Sequence, residues 1–245
     1  MKKIEKASEF LWLFGMIFVA FGVSICNKAN LGVSMIAAPA FVVSEAISSF
    51  WSGFSVGVTE YLIQGLMLLV LCLVVRRFNW RYLLAFAVAV LYGYILDFFL
   101  WIFSGISFDE VWLRWVMLLV GDAITALGVA CFFRTYMPLQ VYELFVAEIA
   151  SCFRLDINKT KLCFDMAFLL ISLILAVSLF GDVKTFDFSA ILYVGFHNIG
   201  LGTLVTTVIN SPLIAFMGNL IDRVFGTKPA FPKLEYFLKR DSAKN

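Results

Sequence analysis

Phe10–Cys26 reads FLWLFGMIFVAFGVSIC and Trp115–Phe133 reads WVMLLVGDAITALGVACFF, and these two stretches decide the fold. Each comes close to the roughly 20 apolar residues an α-helix needs to span bilayer hydrocarbon. They also resemble each other. Gly15 and Gly22 of the first match Gly121 and Gly128 of the second at a constant offset of 106. The shared Gly-Val steps, Gly22-Val23 and Gly128-Val129, are each followed by a basic residue, Lys28 and Arg134.

Working outward, four more apolar runs appear: Val56–Val75, Tyr82–Phe103, Leu162–Phe180 and one between about Ile191 and Ile221. The last is too long for one straight crossing and contains Asn210-Ser211-Pro212. Proline lacks a backbone donor and clashes with the preceding turn, which predicts a kink or break there. Two shorter stretches, Met35–Ser48 and Leu139–Phe153, carry Glu45 and the pair Glu143 and Glu148. Their length suits re-entrant or interfacial helices better than full crossings.

Composition agrees with six crossings in lipid. Apolar residues make up 62% of the 245 and charged residues 15%, with a mean hydropathy of +0.94. An ordinary soluble domain carries about 45–50% apolar and about 25% charged residues. The 27 phenylalanines and 6 tryptophans suit a lipid-facing surface with aromatic belts. The basic start, Met1-Lys2-Lys3, has no small-residue cleavage site after its apolar run, so the first helix is expected to stay uncleaved.

With six crossings and the N-terminus inside, 16 of the 19 Lys and Arg fall on the cytoplasmic side; Lys28, Arg114 and Lys184 fall outside. Making the two short segments cross would put Arg76, Arg77 and Arg81 outside, so the positive-inside rule favours six. The expected location is the bacterial inner membrane, with both termini cytoplasmic.

The repeat extends beyond the glycines. Glu45 and Ser48 align with Glu148 and Ser151 at an offset of 103, and Glu60 with Asp165 at 105. Each half then has three crossings, so the second enters from the opposite side. The fold class predicted is an all-α membrane protein of six transmembrane helices in two inverted three-helix repeats. Each repeat has an additional short re-entrant or interfacial helix. Residues 1–109 form the first repeat, 110–225 the second and 226–245 a basic cytoplasmic tail. Many secondary transporters have such repeats.

Polar residues inside the runs mark the candidate site. Asp97, Asp122 and Asp165 interrupt apolar runs, and Glu60 heads another. An acid at mid-membrane costs roughly 2.5–3.5 kcal/mol on insertion scales, so these groups are expected to face the bundle interior. Together with Glu45, Glu143, Glu148, His197 and Asn210 they form the predicted substrate- or ion-binding set. No Lys or Arg lies inside the six runs, so the intramembrane charges read as acidic apart from His197. Such a cavity favours a cation or cycles protons, since burial raises a carboxyl pKa. The acids divide by depth, with Glu45 and Glu60 toward the outer side and Glu148 and Asp165 toward the inner. Structural roles compete with this reading. Glu60 and Asp165 lie near helix N-termini, where an acid stabilises the dipole. Asp97 can reach the interface, and Gly15, Gly22, Gly121 and Gly128 suit close helix packing.

No enzyme signature is present: no Walker A loop, HExxH, nucleophile elbow or GxGxxG after a strand. The five cysteines lack metal-ligand or disulfide spacing, so no metal or other cofactor is expected. A net charge of +2 gives no reason to expect a nucleic-acid partner. The expected partners are the lipid bilayer and a small-molecule or ion substrate. A homodimer is compatible with the sequence, though no motif specifies one.

Ala29-Asn30-Leu31-Gly32-Val33-Ser34, Gly200-Leu201-Gly202-Thr203-Leu204 and Ser211-Pro212-Leu213-Ile214 resemble signature elements of the YczE/YitT-like bacterial membrane proteins. Met137-Pro138 sits where that family's second half often has a proline opening its short helix. Met35 stands where the family has proline, and Asn210-Ser211 replaces its glycine before Pro212. The resemblance implies a transporter or a membrane regulator and names no substrate.

Two functions follow from different classes. One is a secondary transporter for a small solute, cationic and proton-coupled, using carboxylates between the repeats. The other is a non-transporting regulator or the substrate-binding subunit of a larger importer, which a co-purifying ATPase would mark.

Overall fold

The computed structural model describes residues 4–51, 53–180, 198–228 and 231. Among the described residues six helices are long and apolar enough to cross a membrane. They are α1 (Ser8–Ala29), α3 (Val56–Val75), α4 (Trp80–Ile102), α5 (Val111–Phe132), α7 (Ile157–Phe180) and α8 (Leu201–Val224). Two short helices, α2 (Ala38–Ser48) and α6 (Val141–Phe153), lie between them. Two four-residue strands, β1 (Ile4–Ala7) and β2 (Phe225–Lys228), pair in parallel and join the start of α1 to the end of α8.

Local chemistry sets several boundaries. Ser55 caps α3 by accepting from the Val58 N–H at 3.2 Å, and Asn79 caps α4 by accepting from the Arg81 N–H at 3.1 Å. Arg76, in the left-handed region at φ +53°, ends α3, so only a few residues separate it from α4. Helices joined so tightly must run antiparallel. α8 runs through Pro212 as one helix, so of the kink or break expected at 210–212 the break is absent. α8 begins at Leu201, within the long apolar run.

The α1–α5 pair lies at the centre of the bundle. A β-carbon added to Gly15 would lie 2.9 Å from the Gly128 carbonyl oxygen, and one on Gly22 would lie 2.5 Å from that of Gly121. The two backbones touch at both glycine levels, and the order of the pairs means the helices run antiparallel. Small residues permit this approach, and close packing is what associates helices in lipid. Across the halves, α2 packs on α7 and α6 packs on α3. The core gathers Met16, Val19, Ala20 and Val23 of α1 with Phe41 of α2 and Val129 and Phe132 of α5. Large apolar side chains such as Leu66 and Leu73 on α3, Ile174 on α7 and Val208 on α8 stay exposed. Exposed apolar area on this scale marks a surface that lipid covers.

Candidate functional site

The short helices position the site because both begin inside the bundle. After α1 the chain turns inward, and Leu31, Val33 and Met35 are fully buried. This loop is fastened to the segment before α8. Val33 N–H donates to the Asn198 carbonyl at 2.9 Å, and Gly202 N–H donates to the Leu31 carbonyl at 2.9 Å. Gly32 has φ +109°, and a β-carbon there would lie 2.6 Å from the Gly200 nitrogen. The two glycine motifs, distant in sequence, are therefore two sides of one backbone contact.

α2 starts from this buried loop, with Pro39 in its first turn, where the missing N–H needs no partner. It leaves the core, and Ser48 is exposed at its end. α6 repeats the pattern: Val141, Tyr142 and Glu143 are buried at its start, and Ser151, Cys152 and Phe153 are exposed at its end. The loop before it is held by Trp12, whose Nε1 donates to the Pro138 carbonyl at 2.9 Å.

The starts of α2 and α6 line one cavity of about 40 Å³. Ser34, Ile36 and Ala37 come from the α2 side and Gln140, Tyr142 and Glu143 from the α6 side. Glu60 of α3, Tyr92 of α4, Thr125 of α5, Lys161 of α7 and Asn210 of α8 complete the polar lining. A second cavity of about 230 Å³ adjoins it, bordered by Phe133, Arg134, Val146, Ile157, Ser211 and Ala215. Glu143, Lys161 and Ile214 border both, so they stand at the passage between them.

Several buried polar atoms here lack a hydrogen-bond partner. Glu143 Oε2 and Asn210 Oδ1 of the inner lining and Ser211 Oγ of the outer make no hydrogen bond, Tyr142 and Glu60 face each other, and buried Gln64 and Asp165 lie just behind the lining. Gln64 Nε2 donates to Glu60 Oε1 at 3.3 Å. Lys161 Nζ lies 3.6 Å from Asp165 Oδ1, an ion pair longer than a hydrogen bond. Buried polar atoms in native proteins are almost always satisfied, so a cluster of orphaned oxygens marks a place for water, an ion or a ligand. Among the described residues no three His, Cys, Asp or Glu side chains form a metal-holding group.

A family profile matches residues 6–219, from within β1 to within α8. The chain belongs to a family of unknown function, DUF6198. No curated protein and no solved structure matches it.

Among the predicted site residues of this DUF6198 protein, Glu60, Glu143 and Asn210 line the cavity, and Asp165 pairs with a fourth lining residue, Lys161. Asp122 is buried on α5 with Oδ2 unpartnered, but it lies beside Cys26 of α1 and does not border the cavity. Asp97 caps α3: its carboxylate accepts from Ser55 Oγ at 2.6 Å and from the Gly57 N–H at 2.8 Å. Glu45 is exposed and accepts from Asn198 Nδ2 at 3.1 Å. Glu148 is half-buried near Tyr82. His197 lies outside the described residues, as do Asp182, Lys184 and Asp187.

The charges inside the bundle are not all acidic, because Lys161 lies within α7 and its side chain is only 13% exposed. The apolar run starts at Leu162, but the helix starts at Ile157, one turn earlier. The available signal was the spacing of Lys161 and Asp165, four residues apart, which puts both on one helix face. Gln140, Tyr92 and Ser34 were also missed as lining residues, being ordinary polar residues near helix ends or between apolar neighbours.

Proposed function

We propose that this protein is a secondary transporter for a small solute, cationic and proton-coupled, built as two inverted three-helix repeats in the bacterial inner membrane with both termini cytoplasmic. The observation that carries this reading is the cavity between α2 and α6, where buried carboxyl and amide oxygens converge without partners. A membrane protein has little reason to bury several orphaned acceptors together except to satisfy them with something that enters.

The helix packing supports the inverted repeat. Gly15 corresponds to Gly121 and Gly22 to Gly128, while the contacts run Gly15 to Gly128 and Gly22 to Gly121. The equivalence maps one contact onto the other, as expected about a two-fold axis. The exchange of α2 onto α7 and of α6 onto α3 follows the same symmetry. Broken or short helices whose N-termini meet at mid-membrane are a recurring way to build a transporter site. The meeting of the Ala29–Ser34 and Gly200–Leu204 motifs supports the resemblance to YczE/YitT-like proteins.

The orientation rests on geometry and charge together. The pairing of β1, just before α1, with β2, just after α8, supports both termini on one side and so an even number of crossings. The basic residues crowd that side, so it is cytoplasmic by the positive-inside rule. The larger cavity, bordered by Arg134 at the end of α5 and Ile157 at the start of α7, then faces the cytoplasm.

The test is uptake and efflux in proteoliposomes across a panel of small solutes, with and without a pH gradient. Solute accumulation driven by the gradient is expected, with loss of at least about tenfold in Glu60→Gln and Glu143→Gln, the factor that corresponds to 1.4 kcal/mol. Unchanged transport and pH dependence in both variants would refute the assignment of these acids. No movement of any solute, with an ATPase co-purifying, would favour the importer-subunit reading.

A further inference from the structure

Resting on that reading, we propose that Lys161 is a tethered cation that occupies the place of a substrate ammonium group, and that substrate binding displaces it from Asp165 and Glu143. The orphaned atoms define the ligand's chemistry. Carboxylate and amide oxygens are acceptors, and Glu143 Oε2 and Asn210 Oδ1 in the cavity lining make no hydrogen bond, while Glu60 has only Gln64 as a hydrogen-bond donor of fixed geometry. A ligand suited to this set is donor-rich and positively charged. An ammonium group supplies several N–H donors on one small charge, as the lysine head group does.

Size and ligand count agree with this class. The inner cavity of about 40 Å³ admits a group of ammonium size, and the adjoining 230 Å³ can hold an apolar remainder against Phe133, Val146 and Ile157. A bare metal ion fits less well, because no three acids gather closely enough to hold one among the described residues.

Lys161 has the properties of a stand-in. It borders both cavities, so its ammonium is at the passage a ligand must cross. Its ion pair with Asp165 spans 3.6 Å, long for a charge-assisted contact, so a better-fitting cation can compete with it for the acids. The other basic side chain at the vestibule, Arg134, is held elsewhere by a two-pronged pair with Asp222 at 2.8 Å on each arm. The ligand and Lys161 therefore compete for the same acids, and two like charges cannot share them without penalty.

The experiment is equilibrium binding of methylammonium, and separately of Na⁺, to the purified full-length protein at fixed ionic strength. Lys161→Met and Lys161→Gln are both expected to bind methylammonium about 5- to 150-fold more tightly than wild type, the usual span of a coupling between interacting groups. Lys161→Arg, which keeps the charge, is expected to match wild type. Unchanged or weaker methylammonium binding in the Met and Gln variants overturns the proposal, and so does an equal gain for Na⁺. Proteoliposome uptake separates this inference from the transport reading. A gain in affinity without any transport sinks transport alone, whereas transport without the gain sinks the role of Lys161 alone.

Discussion

Replacing Gly22 by alanine tests the central packing directly. The new methyl would lie 2.5 Å from the Gly121 carbonyl oxygen and 2.8 Å from the Thr125 nitrogen, both backbone atoms of α5 that cannot rotate aside. Restoring ordinary contact near 3.4 Å requires the helices to part by about 0.6–0.9 Å. Overpacking of this kind costs about 1–3 kcal/mol. Alanine's helix preference over glycine, about 0.8–1.0 kcal/mol in water, offsets little, because backbone in lipid must be helical in any case. A net loss of about 1–2 kcal/mol is expected for Gly22→Ala. Gly121→Ala should behave alike, since its methyl would lie 2.8 Å from the Gly22 carbonyl. The double variant should lose less than the sum, because one separation relieves both contacts. Gly105→Ala is the control, with nothing within 4 Å of its added methyl. The assay is equilibrium unfolding in mixed micelles. A Gly22→Ala protein as stable as wild type, an equally damaged Gly105→Ala protein, or strict additivity would each refute the reasoning.

Two further outcomes follow from single residues. Asp97→Ala removes the acceptor for Ser55 Oγ and the Gly57 N–H, so a stability loss of about 1–3 kcal/mol is expected with ligand affinity unchanged; lost affinity at full stability would make Asp97 a site residue. Gly32→Ala places a side chain at φ +109° against the Gly200 nitrogen, so a loss of about 1–3 kcal/mol is expected in the same unfolding assay, together with impaired uptake because the start of α2 shifts. Normal stability and uptake in that variant would show that the loop does not set the cavity.

The glycine motifs show where sequence reading reached its limit. Gly15, Gly22, Gly121 and Gly128 stand out in the chain because lipid-exposed helices have little use for glycine, and they form the α1–α5 contact. The acids were equally visible, since each interrupts an apolar run at measurable cost. Their sorting was not visible. Asp97 became a helix cap, Glu45 stayed at the surface, and Glu60 and Glu143 met in one cavity. Nothing in the spacing of these residues distinguishes a carboxylate facing a neighbouring helix end from one facing a void.

Membrane residence, the count of long apolar helices and the short glutamate-bearing pieces were determined by sequence alone, because hydropathy and length act residue by residue. The cavity and its boundary were decided by tertiary structure. Lys161 became an interior charge because α7 begins one turn before the apolar run, and because α6 and α8 close around it. The meeting of Ala29–Ser34 with Asn198–Thr203 likewise depends on backbone hydrogen bonds between segments far apart in the chain. Such contacts depend on the angles at which helices pack, and those angles come from the whole bundle settling together.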